Sequence, residues 1–152
     1  GHGLSFACGL ALGKKKKNES GNIFVLLGDG ECQEGSVWEA ALFASQHQLS
    51  NLTAIVDYNK KQSSGLLKNI LDIDPLQIKW KSFGWDTIEI DGHNVNEINT
   101  AIQQTDKSEV NPTMIIAHTI KGKSVNFLEN KEDCHYDRLS DEQAAIVWKA
   151  IS

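Results

Sequence analysis

The sequence predicts an α/β domain with a three-layer, doubly wound parallel sheet. Three observations carry this. Four short apolar runs have the length and the β-branched content of strands. Stretches of helical character stand between them, and such alternation implies right-handed crossovers that place helices on both faces of a parallel sheet.

The chain opens on Gly1-His2-Gly3-Leu4, which reads as the start of a helix through the small-residue segment 5–13. Lys14 to Lys17 follow, and the polar residues 18–21 after them make this basic run read as a solvated loop. Residues 23–27 form a continuous apolar run ending at a glycine, the pattern of a strand buried on both faces. Gly28-Asp29-Gly30 then turns the chain. Residues 36–48 carry Val37, Trp38, Ala40, Ala41, Leu42, Phe43 and Ala44 on more than one side, so a largely buried helix that also meets another subunit is expected. Residues 52–56, 87–90 and 113–117 are the remaining strand candidates. Helices are expected at 75–83 and 94–104, and a last one at 141–150 with Ser140 as its cap.

At 152 residues and 40% hydrophobic content, residues 1–152 suit a single domain with one core. The missing initiator methionine suggests a fragment lacking its amino-terminal residues. A net charge of −5, with no basic residues interleaved with aromatics, argues against a nucleic-acid surface. No apolar run approaches the length of a membrane helix and no signal peptide is evident, so a cytoplasmic protein is expected. Cys8, Cys32 and Cys134 form no CxxC pair, which excludes a zinc knuckle or a disulfide framework.

In open parallel sheets ligands bind beyond the carboxyl ends of the strands. Two polar clusters fall there: Gly28-Asp29-Gly30-Glu31, and Asp57-Tyr58-Asn59-Lys60-Lys61. From Asp29 to Asn59 is 59 − 29 = 30 positions, room for one crossover helix and one strand. The two oxygen donors can therefore meet at adjacent strand ends, where they suit a magnesium ion that shares its shell with phosphate oxygens. Gly28 and Gly30 lack Cβ atoms, so a diphosphate could approach their backbone closely.

Gly28-Asp29-Gly30 followed by Asn59 resembles the motif of the thiamine diphosphate enzymes. GDGECQEGSVWEAA at 28–41, NLTAIVDYNKKQSSG at 51–65, FGWDTIEIDGHN at 83–94 and HTIKGKSVNFLEN at 118–130 narrow the resemblance to transketolase, over nearly the whole chain. The split type, with this domain as its amino-terminal subunit, is the nearest pattern. The resemblance implies thiamine diphosphate and Mg2+ as cofactors. Asp29, the Asn59 side chain and the Lys61 carbonyl would be metal ligands, and Gly28, Gly30 and His135 would contact the cofactor. His135 would also be the catalytic histidine that hydrogen-bonds the sugar oxygens. Glu34 would lie at the subunit interface on a proton path between two active sites, and His2 near the thiazolium ring. Lys61, Cys134 and Tyr136 depart from the family's usual residues.

The implied activity is transfer of a two-carbon ketol unit from a ketose phosphate to an aldose phosphate, in a homo-dimer or hetero-tetramer with a carboxy-terminal subunit or domain that binds the pyrimidine. The alternatives are 1-deoxyxylulose 5-phosphate synthase, against which Glu31 to Gly35 and Val37-Trp38-Glu39 weigh, and a non-catalytic orphan subunit. His118 ends a strand but carries no expected direct role. His47 and His93 read as surface and turn residues.

Overall fold

The computed structural model describes residues 1–106, 108–129, 131, 135 and 138–151, with 150 and 151 as backbone alone. Helix α1 (Gly3–Lys17) leads into strand β1 (Ile23–Gly28) and a 3-10 turn (Gly30–Gln33). Helix α2 (Gly35–Gln46) and β2 (Leu52–Tyr58) follow, then a small hairpin of β3 (Lys61–Gln62) and β4 (Gly65–Leu66). Helices α3 (Leu67–Ile70) and α4 (Leu76–Ser82) precede β5 (Asp86–Asp91), α5 (Val95–Thr105) and β6 (Thr113–His118). Helices α6 (Asn126–Glu129) and α7 (Asp141–Ile151) complete the described chain. No described helix is long and apolar enough to cross a membrane.

The sheet is parallel throughout, in the order β1-β2-β6-β5. Passing from β2 to β5 skips over β6, and passing from β5 to β6 steps back, so the direction of winding reverses. Right-handed crossovers in opposite directions put their helices on opposite faces. Leu27, Ala54, Val56, Met114 and Ile116 accordingly share one core with residues of α1, α2 and α4, among them Leu4, Ala11, Val37, Ala41 and Trp80. Ile90, Ile115 and Ala117 share a smaller core with Ala101 and Ile98 of α5. This is the doubly wound architecture the sequence predicts.

Two expectations need correction. Strand β1 is not buried on both faces: Phe24 is 46% and Leu26 69% exposed, because β1 is an edge strand and α5 packs against β5 at the far side of the sheet. The fully buried pattern belongs to the central strands β2 and β6. The second correction concerns Lys14 to Lys17, which form the last turn of α1 rather than a loop. Positive side chains there oppose the negative end of the helix dipole, and Asn18 closes the helix in the left-handed conformation at φ 54°. Lys15 Nζ also donates to the carbonyls of His47 (2.9 Å) and Gln48 (2.6 Å), tying the end of α1 to the end of α2.

The other helices read from the sequence keep their positions to within two residues, while the short helices α3 and α6 and the β3-β4 hairpin were not expected. Asn94 caps α5, accepting from the amides of Asn96 and Glu97. Ser140 caps α7 in a reciprocal arrangement: its hydroxyl accepts from the Gln143 amide at 3.2 Å, and Gln143 Oε1 accepts from the Ser140 amide at 3.0 Å. Helix α2 buries Val37, Ala40, Ala41 and Ala44 while Leu42 and Phe43 stay exposed.

Candidate functional site

The strand registers align Gly28, Asp57, Ala117 and Ile90 in one row, so the carboxyl ends of all four strands finish together. Asp29 is the next residue after that row on β1. It is 2% exposed and caps the 3-10 turn, Oδ1 accepting from the Gly30 amide at 2.7 Å. Its Oδ2 accepts from the Lys60 amide at 2.5 Å, so one carboxylate holds the ends of β1 and β2 together. Asn59 Oδ1 accepts from the Lys61 amide at 2.9 Å, across a turn made possible by the positive φ of 64° at Lys60.

A cleft of about 600 Å³ opens over these strand ends. Gly28, Asp29, Gly30, Asn59, Lys61 and His135 all line it, and Glu34, the residue before α2, stands at its edge. The seven site residues singled out in the sequence are thus brought to one place. His2, at the cap of α1, is not among the lining residues. Cys134 and Tyr136 lie outside the described residues.

The glycines behave differently from each other. A Cβ on Gly28 would meet no atom within 4 Å, whereas one on Gly30 would come within 2.7 Å of Gln62 Oε1 and 3.1 Å of Gln62 Cβ. Their amides are engaged in this structure, Gly28 with Glu31 Oε2 at 3.2 Å and Gly30 with Asp29.

Burial pushes the Asp29 carboxyl above the usual aspartate range, against the two amides that favour its charge. Asp57 pushes the same way and Lys121 opposes. A buried carboxylate disfavoured as an anion, with Asp57, Glu31 and Glu34 beside it, suits a cation. Among the described residues no three His, Cys, Asp or Glu side chains converge as a metal cage. An ion here would therefore need the Asn59 amide, a backbone carbonyl and oxygens from a ligand, a donor set that fits magnesium with a diphosphate. A diphosphate without a metal would face the carboxylates unshielded.

Sequence reasoning missed Lys121. It follows β6 and reaches the cleft, Nζ standing 2.8 Å from His135 Nδ1. The rule that residues just after each strand matter most would have found it had it been carried past His118. His118 itself pairs with Glu89 at 2.9 Å and does not line the cleft. The side chain of Lys61 turns away from metal chemistry, donating to the carbonyls of Glu129 (3.0 Å) and Lys131 (2.8 Å). These bonds tie the C-terminal segment to the cleft wall and leave the Lys61 carbonyl as the part suited to a ligand role.

Residues 1–151 match the family described as "Transketolase, thiamine diphosphate binding domain". The chain belongs to that family. It is 42% identical to the 6-deoxy-6-sulfo-D-fructose transketolase subunit SqwG of a Clostridium species, over 99% of this chain and 53% of the relative. It is 44% identical to one of the subunits of the apulose-4-phosphate transketolase of Actinobacillus succinogenes, over 99% of this chain and 54% of the relative. The chain thus spans about half the length of the curated subunits it matches. Among solved structures, the transketolase of Campylobacter jejuni superposes with a TM-score of 0.78 at 28% identity, over 86% of this chain and 22% of that one. The fold, with its wound parallel sheet, is that of the transketolase family.

Proposed function

We propose that this chain is the diphosphate-binding part of a split, cytoplasmic transketolase and that it works only with a partner subunit supplying the pyrimidine-binding domain. The observation that carries the reading is the Asp29 carboxylate, which bridges the ends of β1 and β2 in the cleft that also holds Asn59 and Lys61. In this reading Asp29, the Asn59 side chain and the Lys61 carbonyl hold Mg2+, and Gly28 and Gly30 form the low wall that a diphosphate approaches. When bound, thiamine diphosphate supplies the nucleophilic carbon for transfer of a two-carbon ketol unit between sugar phosphates.

The chain's own residues bind, orient and hold protons. Asp29 keeps the two strand-end loops in register, so the donors are placed before a ligand arrives. A lysine ammonium can only donate, so the contact with Lys121 makes His135 Nδ1 an acceptor and leaves the ring proton on Nε2. His135 can then donate from Nε2 to a sugar oxygen near the reacting carbon. Its contribution is a hydrogen bond at the substrate, while Lys121 fixes the tautomer and adds positive charge opposite Asp29. Glu34, at the start of α2, is the residue through which the partner's site would communicate.

Reconstitution tests the proposal. The chain is mixed with Mg2+, thiamine diphosphate, xylulose 5-phosphate and ribose 5-phosphate, with and without a carboxy-terminal transketolase subunit, and sedoheptulose 7-phosphate is measured. Donor arms with apulose 4-phosphate and 6-deoxy-6-sulfo-D-fructose follow from the names of the two subunit relatives. Product only with the partner is expected. Substantial product from the chain alone refutes the requirement for a partner, and condensation of pyruvate instead of ketol transfer points to a synthase.

A further inference from the structure

His93 sits in the turn between β5 and α5, at the edge of the sheet away from β1. That turn is already held without the imidazole. The Gly92 amide donates to the His118 carbonyl at 2.8 Å, the Asn94 amide to the Asp91 carbonyl at 3.0 Å, and the His93 amide to Asp91 Oδ1 at 2.9 Å. Glu97 accepts from the Asp91 amide and from Asn94 Nδ2, both at 2.8 Å. The ring is therefore spare for another task.

Its Nε2 lies 2.8 Å from the backbone nitrogen of Ile120. A backbone amide can only donate, so Nε2 is the acceptor of this bond. Ile120 directly precedes Lys121. The loop is fastened one residue earlier by Thr119, whose amide donates to the Tyr58 carbonyl and whose hydroxyl donates to Asp57 Oδ1. Further along, it is closed on itself by Lys123 to Ile120 and Val125 to Gly122 contacts. The Ile120 side chain is 44% exposed, so burial does not anchor this point. Lys121, one peptide further on, stands in the cleft against His135.

We propose that His93 is a positioning residue that, by accepting the Ile120 amide, holds Lys121 in the cleft where the diphosphate is received. The inference rests on the proposed function, because it takes the cleft to be a diphosphate site. It reaches across two strands: a side chain beyond β5 sets the place of a cation beyond β6.

The test is calorimetric binding to the full-length protein with its partner subunit. The probes are Mg2+ with inorganic pyrophosphate, and Mg2+ with thiamine diphosphate, both at neutral pH. Loss of one neutral hydrogen bond predicts that His93→Ala weakens binding by about three- to tenfold. His93→Gln, whose amide oxygen can reach the Nε2 position and accept the same amide, should restore the affinity. In a Lys121→Ala background, His93→Ala should cost nothing more. Wild-type affinity in His93→Ala, a His93→Gln as weak as His93→Ala, or fully additive losses with Lys121→Ala would each overturn the proposal. If the wild type binds neither probe, the diphosphate reading of the cleft fails and takes the inference with it, a result distinct from loss confined to the variants.

Discussion

Gly28→Ala separates what the fold needs from what a ligand needs. The Cβ would meet no protein atom within 4 Å, and the glycine does not occupy the left-handed region, so alanine is accommodated as the backbone stands. Reduced freedom of the unfolded chain then stabilises the protein by up to about 1 kcal/mol. For a chain of this length that raises the melting temperature by about 2–4 °C at most. Gly28 lines the cleft beside Asp29, where the proposed diphosphate lies, so a methyl group there adds bulk to the cleft wall. Filling space that a tightly packed ligand requires costs about 1–3 kcal/mol. That corresponds to a loss of about five- to 150-fold in affinity for Mg2+ and thiamine diphosphate. Differential scanning calorimetry without ligand and isothermal titration with it measure the two effects on one preparation. A melting temperature lowered by several degrees would refute the open-space reading of Gly28, and unchanged affinity would refute its place on the approach face. Gly30→Ala is the contrast: its Cβ would press on Gln62, so both stability and binding should fall.

Other consequences are open to measurement. His135→Ala should lower kcat more than cofactor affinity in the assembled enzyme, since a hydrogen bond made mainly in the transition state lowers the barrier rather than tightening binding; a pure binding defect would count against that role. Asn94→Ala removes the cap of α5 and should cost about 1 kcal/mol in chemical denaturation. Burial pushes the thiols of Cys8 and Cys32 up, to about 11 and about 12, so native protein should leave both unalkylated at pH 8 by peptide mass spectrometry. The native state holds these protons more tightly than the unfolded chain, so their contribution is complete below pH 9.0 and is lost as pH rises toward the folded values. Alkaline denaturation should steepen above pH 9, and a flat stability profile there would contradict the burial of the two thiols.

Much of the fold was legible because strand and helix patterns differ in period and because the alternation constrains topology. The limits were physical. Five apolar residues in a row look alike at an edge and in the middle of a sheet, so β1 was misread while β2 and β6 were not. Four lysines look solvated whether they lie in a loop or on the last turn of a helix, and only the packing of α1 on α2 decides. In the site, the spacing and the rule of strand ends brought Asp29 and Asn59 to one cleft. The contacts of Lys121 with His135 and of His93 with Ile120 join residues 14 and 27 positions apart through loops, and no periodicity encodes such contacts.

In the proposed function Asp29 and Asn59 hold a metal through which the diphosphate is bound. Titration of thiamine diphosphate into the assembled protein, with Mg2+ and then with EDTA, for the wild type and Asp29→Asn, tests it most directly. A neutral amide is a poorer ligand for a hard dication than a carboxylate. Tight binding by the wild type only with Mg2+ is expected, with a loss of at least about tenfold in Asp29→Asn at limiting Mg2+. Equal affinity with and without the metal, or an Asp29→Asn variant that binds like the wild type, would contradict it.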